Sequence, residues 1–197
     1  MRALTFPLLS VLVVLLPVRA AVAQSIAPAP AVPKAELAFT HNWVRTNAPP
    51  ADCGCFNMNG GSISFAYHFK SSWAVVAEAG AVANTNVEST GRDLGLVQFL
   101  AGARYTYANH SRLQPFGQTL LGGVHAAGTL APTHIGLSSS DSFALATGGG
   151  LDINLTPRVA LRAVKADYYL TLLPNPTSNS QNNLRLSTGI IFRLGRK

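Results

Sequence analysis

Residues 184–194 restrict the fold more than any other stretch of the chain. Even positions carry Leu184, Leu186, Thr188, Ile190, Phe192 and Leu194, and odd positions carry Arg185, Ser187, Gly189, Ile191 and Arg193. A strand turns successive side chains to opposite sides, so this segment has one apolar face and one largely polar face. Its length matches the roughly 9–11 residues that a tilted strand uses to cross a bilayer. In hydrocarbon an unpaired backbone N–H or C=O is costly, so such a strand demands a sheet without edges.

The same pattern recurs upstream. Extended segments are expected at 36–45, 62–69, 73–83, 96–107, 116–129, 143–155 and 159–170, making eight with the last. In the second, Ile63, Phe65, Tyr67 and Phe69 face one way and Ser62, Ser64, Ala66 and His68 the other. The fifth is rich in glycine and its facing is ambiguous. In the seventh the parity fails: with Arg162 inside, Lys165 and Asp167 would meet lipid unless a β-bulge near 163–165 intervenes.

The connections are sorted. Three are short, at 70–72, 110–114 and 156–158, and four are long, at 46–61, 84–95, 130–142 and 173–183. Strict alternation is what a membrane meander produces when one side has tight turns and the other long loops. The expectation is therefore an all-β, eight-stranded antiparallel up-and-down transmembrane β-barrel over 36–197. With about eight strands the interior is just filled by side chains, which suits the small inward residues Gly80, Gly102, Gly148, Gly150 and Gly189. Aromatics near the strand ends (Trp43, Trp73, Tyr105, Tyr107, Phe116, Phe143, Tyr168, Tyr169, Phe192) fit girdles at the two interfaces.

The N-terminus has the form of a secretory signal peptide, residues 1–23. Met1-Arg2 is a short basic start, an apolar core broken by Pro7 and Pro17 follows, and Ala21-Val22-Ala23 is a cleavage site. A retained helix would need about 20 unbroken apolar residues. No cysteine follows for a lipid anchor. Residues 24–35, rich in Ala and Pro, are expected to be a disordered lead-in. The formal charge is +7; the 15 Lys and Arg less Arg2 and Arg19, against 8 Asp and Glu, leave +5 after cleavage. These cations are scattered singly apart from Arg193, Arg196 and Lys197, so no nucleic-acid partner is expected.

On this facing Glu78, Arg104, Asp152, Arg162, Arg185 and Arg193 point into the lumen, with Glu78 and Arg104 placed to pair. Charges in a narrow lumen must be paired or hydrated. They make either a structural plug of salt bridges or a small gated ion path or ligand site. Cys53 and Cys55 lie in the first long loop, where export would place them in an oxidising compartment. A C-x-C bridge closes a small, strained ring. A loop disulfide is one reading, and redox or metal binding another, although zinc asks for four ligands. His41 and His68 lie on flanking strands with nothing in their spacing to bring them together. His134 and Ser138 to Asp141 share one polar loop without a nucleophile elbow, so neither an enzyme nor a cofactor is expected. Phe56, Met58, Ile135 and Leu137 are read as exposed apolar residues of the loops.

The block Gly148-Gly149-Gly150-Leu151-Asp152-Ile153-Asn154-Leu155, then Leu161-Arg162 through Asp167-Tyr168, then 181–192, resembles the end of the small outer-membrane β-barrel family, which includes the OmpA barrel, OmpX and opacity-type proteins. Phe99-Leu100-Ala101-Gly102-Ala103-Arg104-Tyr105 is similar to that family's fourth strand. The likeness runs from Glu36 to the end and departs from the pattern after Phe192, where many such barrels finish. It implies an outer-membrane, porin-like fold in the cell envelope, embedded in lipid as a monomer, with a structural or adhesin-like role carried by loops 46–61, 84–95, 130–142 and 173–183. No peptidoglycan-binding domain is expected after the barrel. Two alternatives are a soluble secreted lipocalin-like barrel with an apolar ligand, which inverts the facing, and a narrow channel.

Overall fold

A computed structural model describes residues 33–46, 55–87, 89, 91–107, 111–128, 139–174 and 179–196. The expected leader, 1–23, and the expected lead-in as far as 32 lie outside the described residues. The strands are β1 Pro33–Arg45, β2 Asn57–His68, β3 Trp73–Val87, β4 Arg92–Thr106, β5 Leu113–Ala127, β6 Ser139–Asn154, β7 Val159–Thr171 and β8 Gln181–Arg196. Each pairs antiparallel with the next, and β8 pairs with β1, so the sheet closes into a barrel without an edge. β1 begins at Pro33, inside the stretch expected to be a lead-in.

The alternation in sequence becomes a radial division of polarity. In β8, Leu184, Leu186, Ile190, Phe192 and Leu194 stand outside at 37–50% exposure, while Arg185 and Ile191 are fully buried. β2 does the same, with Ile63, Phe65 and Tyr67 outside and Ser64, Ala66 and His68 inside. Large apolar side chains cover the outer wall and charges fill the inside, the inverse of a water-soluble barrel and the arrangement hydrocarbon selects. A lipocalin-like barrel needs the opposite facing.

The lumen is narrow because small residues point into it. Ala38, Ala66, Ala74, Ala144, Ala146 and Ala160 are all buried to 3% exposure or less. At Gly148 neighbouring strands approach so closely that a Cβ would land on the Ala166 carbonyl of β7.

The strands run further towards the loop end than the alternation suggested. Residues 57–61, 139–142 and 181–183 belong to β2, β6 and β8 rather than to loops. Stretch 84–95 is not a long loop: β3 and β4 continue as a hairpin whose only connection is 88–91, turning through positive φ at Ser89 and Gly91. Loop length therefore does not alternate strictly. The remaining longer connections, 46–56, 128–138 and 172–180, join strands at that same end, whereas the shorter ones, 69–72, 107–112 and 155–158, join them at the end that carries Pro33 and Arg196.

β7 contains the bulge its parity asked for. The register shifts between Arg162 and Lys165, so Ala163 and Val164 together oppose Thr188 of β8. The Thr188 hydroxyl donates to the Arg162 carbonyl at 2.9 Å. With this bulge Arg162, Lys165 and Asp167 all turn inward and are 0% exposed.

Candidate functional site

Two acids and two bases meet at the centre of the lumen. Glu78 comes from β3, Lys165 and Asp167 from β7 and Arg185 from β8. Arg185 donates Nη1 to Glu78 Oε1 at 2.7 Å and Nε and Nη2 to Asp167 Oδ2 at 3.0 and 2.7 Å. Lys165 Nζ bridges the two carboxylates, 3.1 Å from Glu78 and 3.3 Å from Asp167. Gln98 Nε2 gives Glu78 a third donor at 3.2 Å. The Arg185 guanidinium also lies 5.3 Å over the Tyr169 ring. Burying four charges is tolerable only when each finds this many partners.

A second cluster lies nearer the terminal end. Asp152 accepts a bidentate pair of bonds from Arg162 at 2.9 and 3.0 Å. Glu36 is 3.2 Å from Arg193 and 3.5 Å from Arg104. Arg104 also bonds Gln118 Oε1, and Arg193 bonds Gln114 Oε1. The guanidinium carbons of Arg104 and Arg162 lie 4.8 and 4.7 Å from the centre of the Phe116 ring, so one aromatic serves both cations. Phe116 can point inward because Gly150 opposite it has no side chain; a Cβ there would meet the ring.

Towards the loop end the lumen changes character. Phe56, Met58, Val87, Leu96, Val124 and Leu173 form an apolar layer, none more than 7% exposed. Phe56 and Met58 are thus buried, correcting their expected exposure: β2 starts at Asn57, so Met58 is an inward strand residue, and the Thr46 hydroxyl accepts from and donates to the Phe56 backbone beside it.

Of the residues singled out in the sequence, Glu78, Arg104, Asp152, Arg162 and Arg185 all line the lumen at 5% exposure or less. Glu78 and Arg104 do not pair. Register sets Glu78 opposite Leu100 and Arg104 opposite Ala74, so each finds its partners elsewhere around the barrel. Phe116 and Tyr169 are not girdle residues; both are inside, at 6% and 0% exposure. Lys165, Asp167 and Tyr169 were hidden by the parity break, and the one signal for them is the bulge itself. His41 points outward and His68 inward, on opposite faces of the wall. Asp141 pairs with His125 at 2.8 Å on the outer surface rather than with a serine. Cys55 is exposed at the loop end, while Cys53, His134, Ile135, Leu137 and Ser138 lie outside the described residues.

No family model and no curated protein sequence matches the chain. Solved structures do. Neisserial surface protein A superposes with a TM-score of 0.63 at 19% identity, over 82% of this chain and 97% of that one. This is the fold of the small eight-stranded outer-membrane barrels. Ail, the attachment invasion locus protein of Yersinia pestis, shares it at a TM-score of 0.53 and 19% identity, over 82% of this chain and 99% of its own. Ail has also been solved with the heparin analogue sucrose octasulfate. Within this fold the described residues bring two ion clusters and an apolar layer inside the barrel.

Proposed function

We propose that this chain is an outer-membrane surface barrel, exported by its leader, with the longer connections 46–56, 128–138 and 172–180 outside the cell and the shorter connections and termini in the periplasm. The observation that carries this is the inverted polarity, apolar wall and charged lumen, which only a bilayer stabilises. The ion clusters and the apolar layer are a plug, so the barrel is a scaffold and not a pore. Its role is structural or adhesin-like, exercised by the loops on a rigid rim, and it is neither catalytic nor cofactor-dependent. Its structural neighbours, a surface protein and an attachment protein, support the same class of role.

The test is fractionation of producing cells, with a gel run with and without heating. Recovery in the outer-membrane fraction and a mobility change on boiling are expected, and recovery from soluble periplasm overturns the proposal. An epitope inserted within 130–138 should be reached by antibody on intact cells, whereas one after Lys197 should not.

A further inference from the structure

Among the described residues, the exposed charge that lacks an opposite partner charge lies at one rim. In the described lumen five cations, Arg104, Arg162, Lys165, Arg185 and Arg193, face four carboxylates, Glu36, Glu78, Asp152 and Asp167. At the loop end the described cations Arg45 and Arg92 are matched by Asp93 and Asp141. At the terminal end there is no such match. Lys34 stands at the β1 entry, Lys70 in the β2–β3 turn, Arg112 in the β4–β5 turn and Arg158 in the β6–β7 turn. All four are exposed, and among the described residues this rim carries no exposed acid.

The spacing says what this collar meets. One basic residue at each shorter connection, plus one at the β1/β8 seam, distributes charge around the circumference instead of gathering it into a pocket. Just above sits an aromatic belt. Trp73 packs edge-on against Tyr105 with ring centres 5.1 Å apart, and Tyr107 is 58% exposed beside them. Such a belt marks the depth of lipid headgroups. On the wall above it, Ala77, Ala79 and Ala101 floor an apolar groove walled by Phe65 and Phe99. Groove, aromatic belt and cation follow one another along β3 and its turn in the order of acyl chain, interface and phosphate.

We infer that the terminal rim is a selective seat for anionic phospholipids, which hold their phosphates on the basic collar and lay a chain in the β3–β4 groove. This rests on the barrel being membrane-embedded. Its consequence is an annulus enriched in negative lipid in the leaflet that faces the termini.

The two tryptophans, Trp43 and Trp73, lie near opposite rims and let each be read alone. The purified full-length mature barrel is refolded into vesicles of equimolar phosphatidylcholine and phosphatidylglycerol, in which either lipid carries brominated chains that quench tryptophan. Both leaflets have one composition, so insertion direction does not matter. In Trp43→Phe, Trp73 should favour phosphatidylglycerol by about fivefold or more, the size of one basic residue's attraction to an anionic surface. High salt should abolish the preference, as should the combined Lys70→Ser, Arg112→Ser and Arg158→Ser changes, which touch only exposed side chains. In Trp73→Phe, Trp43 should show no preference. Equal quenching of Trp73 by the two lipids overturns the inference while leaving the membrane barrel intact. Quenching by neither lipid overturns both. Retention on purified peptidoglycan that depends on the three cations, without lipid preference, would assign the collar to the wall polymer instead and also overturn it.

Discussion

Arg185 on β8 reaches across the lumen to Glu78 on β3, Nη1 to Oε1 at 2.7 Å, linking residues 107 apart in sequence. Removing either partner strands the other in a site with almost no solvent. Glu78→Leu leaves Arg185 and Lys165 with Asp167 alone and should cost about 3–5 kcal/mol of stability, read by urea unfolding in phosphatidylcholine vesicles. Glu78→Leu combined with Lys165→Met keeps the Arg185–Asp167 pair, in which Nε and Nη2 both donate to Oδ2, and restores charge balance. It should recover more than half of the loss, the non-additivity expected of contacting groups. A double variant as unstable as the sum of the single changes would show that the four charges do not act together.

The outer wall gives a second prediction. Ile190 is 48% exposed and sits between Phe39 of β1 and Leu161 of β7. In a bilayer Ile190→Arg near the midplane should cost about 2–4 kcal/mol, and Ile190→Val well under that. The same unfolding assay checks both. An arginine tolerated at position 190 would place this face in water.

Much of this was legible. The even–odd pattern of 184–194 sets which residues of β8 share a face, and turning the apolar face to lipid then sends Arg185 inward; the same reading applies to each strand by its own alternation. Arg185 and Arg162 were therefore assignable to the lumen from sequence. Their partners were not, because cross-lumen contacts depend on barrel stagger, which local alternation does not encode; the Glu78–Arg104 pairing failed for that reason. Phe116 was misplaced because an inward aromatic looks like a girdle residue until Gly150 is seen opposite it. Met58 was misplaced because β2 begins five residues before the clean alternation at Ser62, across Asn and Gly residues that read as loop. The 84–95 stretch read as a loop because its polar residues hide two paired strands.

Two barriers in series predict a closed lumen. Wild-type barrel should give no unitary conductance in a planar bilayer. Glu78→Ala with Arg185→Ala should stay silent too, because Phe56, Met58 and Leu96 still seal the loop end with an apolar layer that water does not wet. Adding Met58→Ser and Leu96→Ser to that pair, together with Arg104→Ala and Phe116→Ala to loosen the second ion cluster, should produce openings. Conductance from the wild type, or from the charge variant alone, would sink the two-barrier account.

Gly148 gives a prediction about closure. Its missing Cβ lets β6 and β7 approach at the Ala166 carbonyl. Gly148→Ala should therefore strain the wall by about 1–3 kcal/mol, whereas Gly91→Asn, in an open turn at positive φ, should be close to neutral. Unfolding midpoints distinguish the two, and equal effects would remove close strand approach as the reason for glycine at position 148.

The bulge in β7 can be tested by deletion. Ala163 and Val164 both turn towards lipid between the inward Arg162 and Lys165, so two residues occupy the place of one. Deleting Ala163 restores plain alternation while Arg162, Lys165 and Asp167 keep their side of the wall, and the heat-modifiable folded form should persist. Deleting Ala166 has the opposite effect. It sets Lys165 beside Asp167, and a period of two then forces one of these ions, with every residue beyond it, onto the wrong face. That variant should not fold in vesicles. Both deletions shorten β7 equally, so a difference between them isolates parity from length. Loss of folding in both would mean that the bulge is needed for strand stagger and not to turn Lys165 and Asp167 inward.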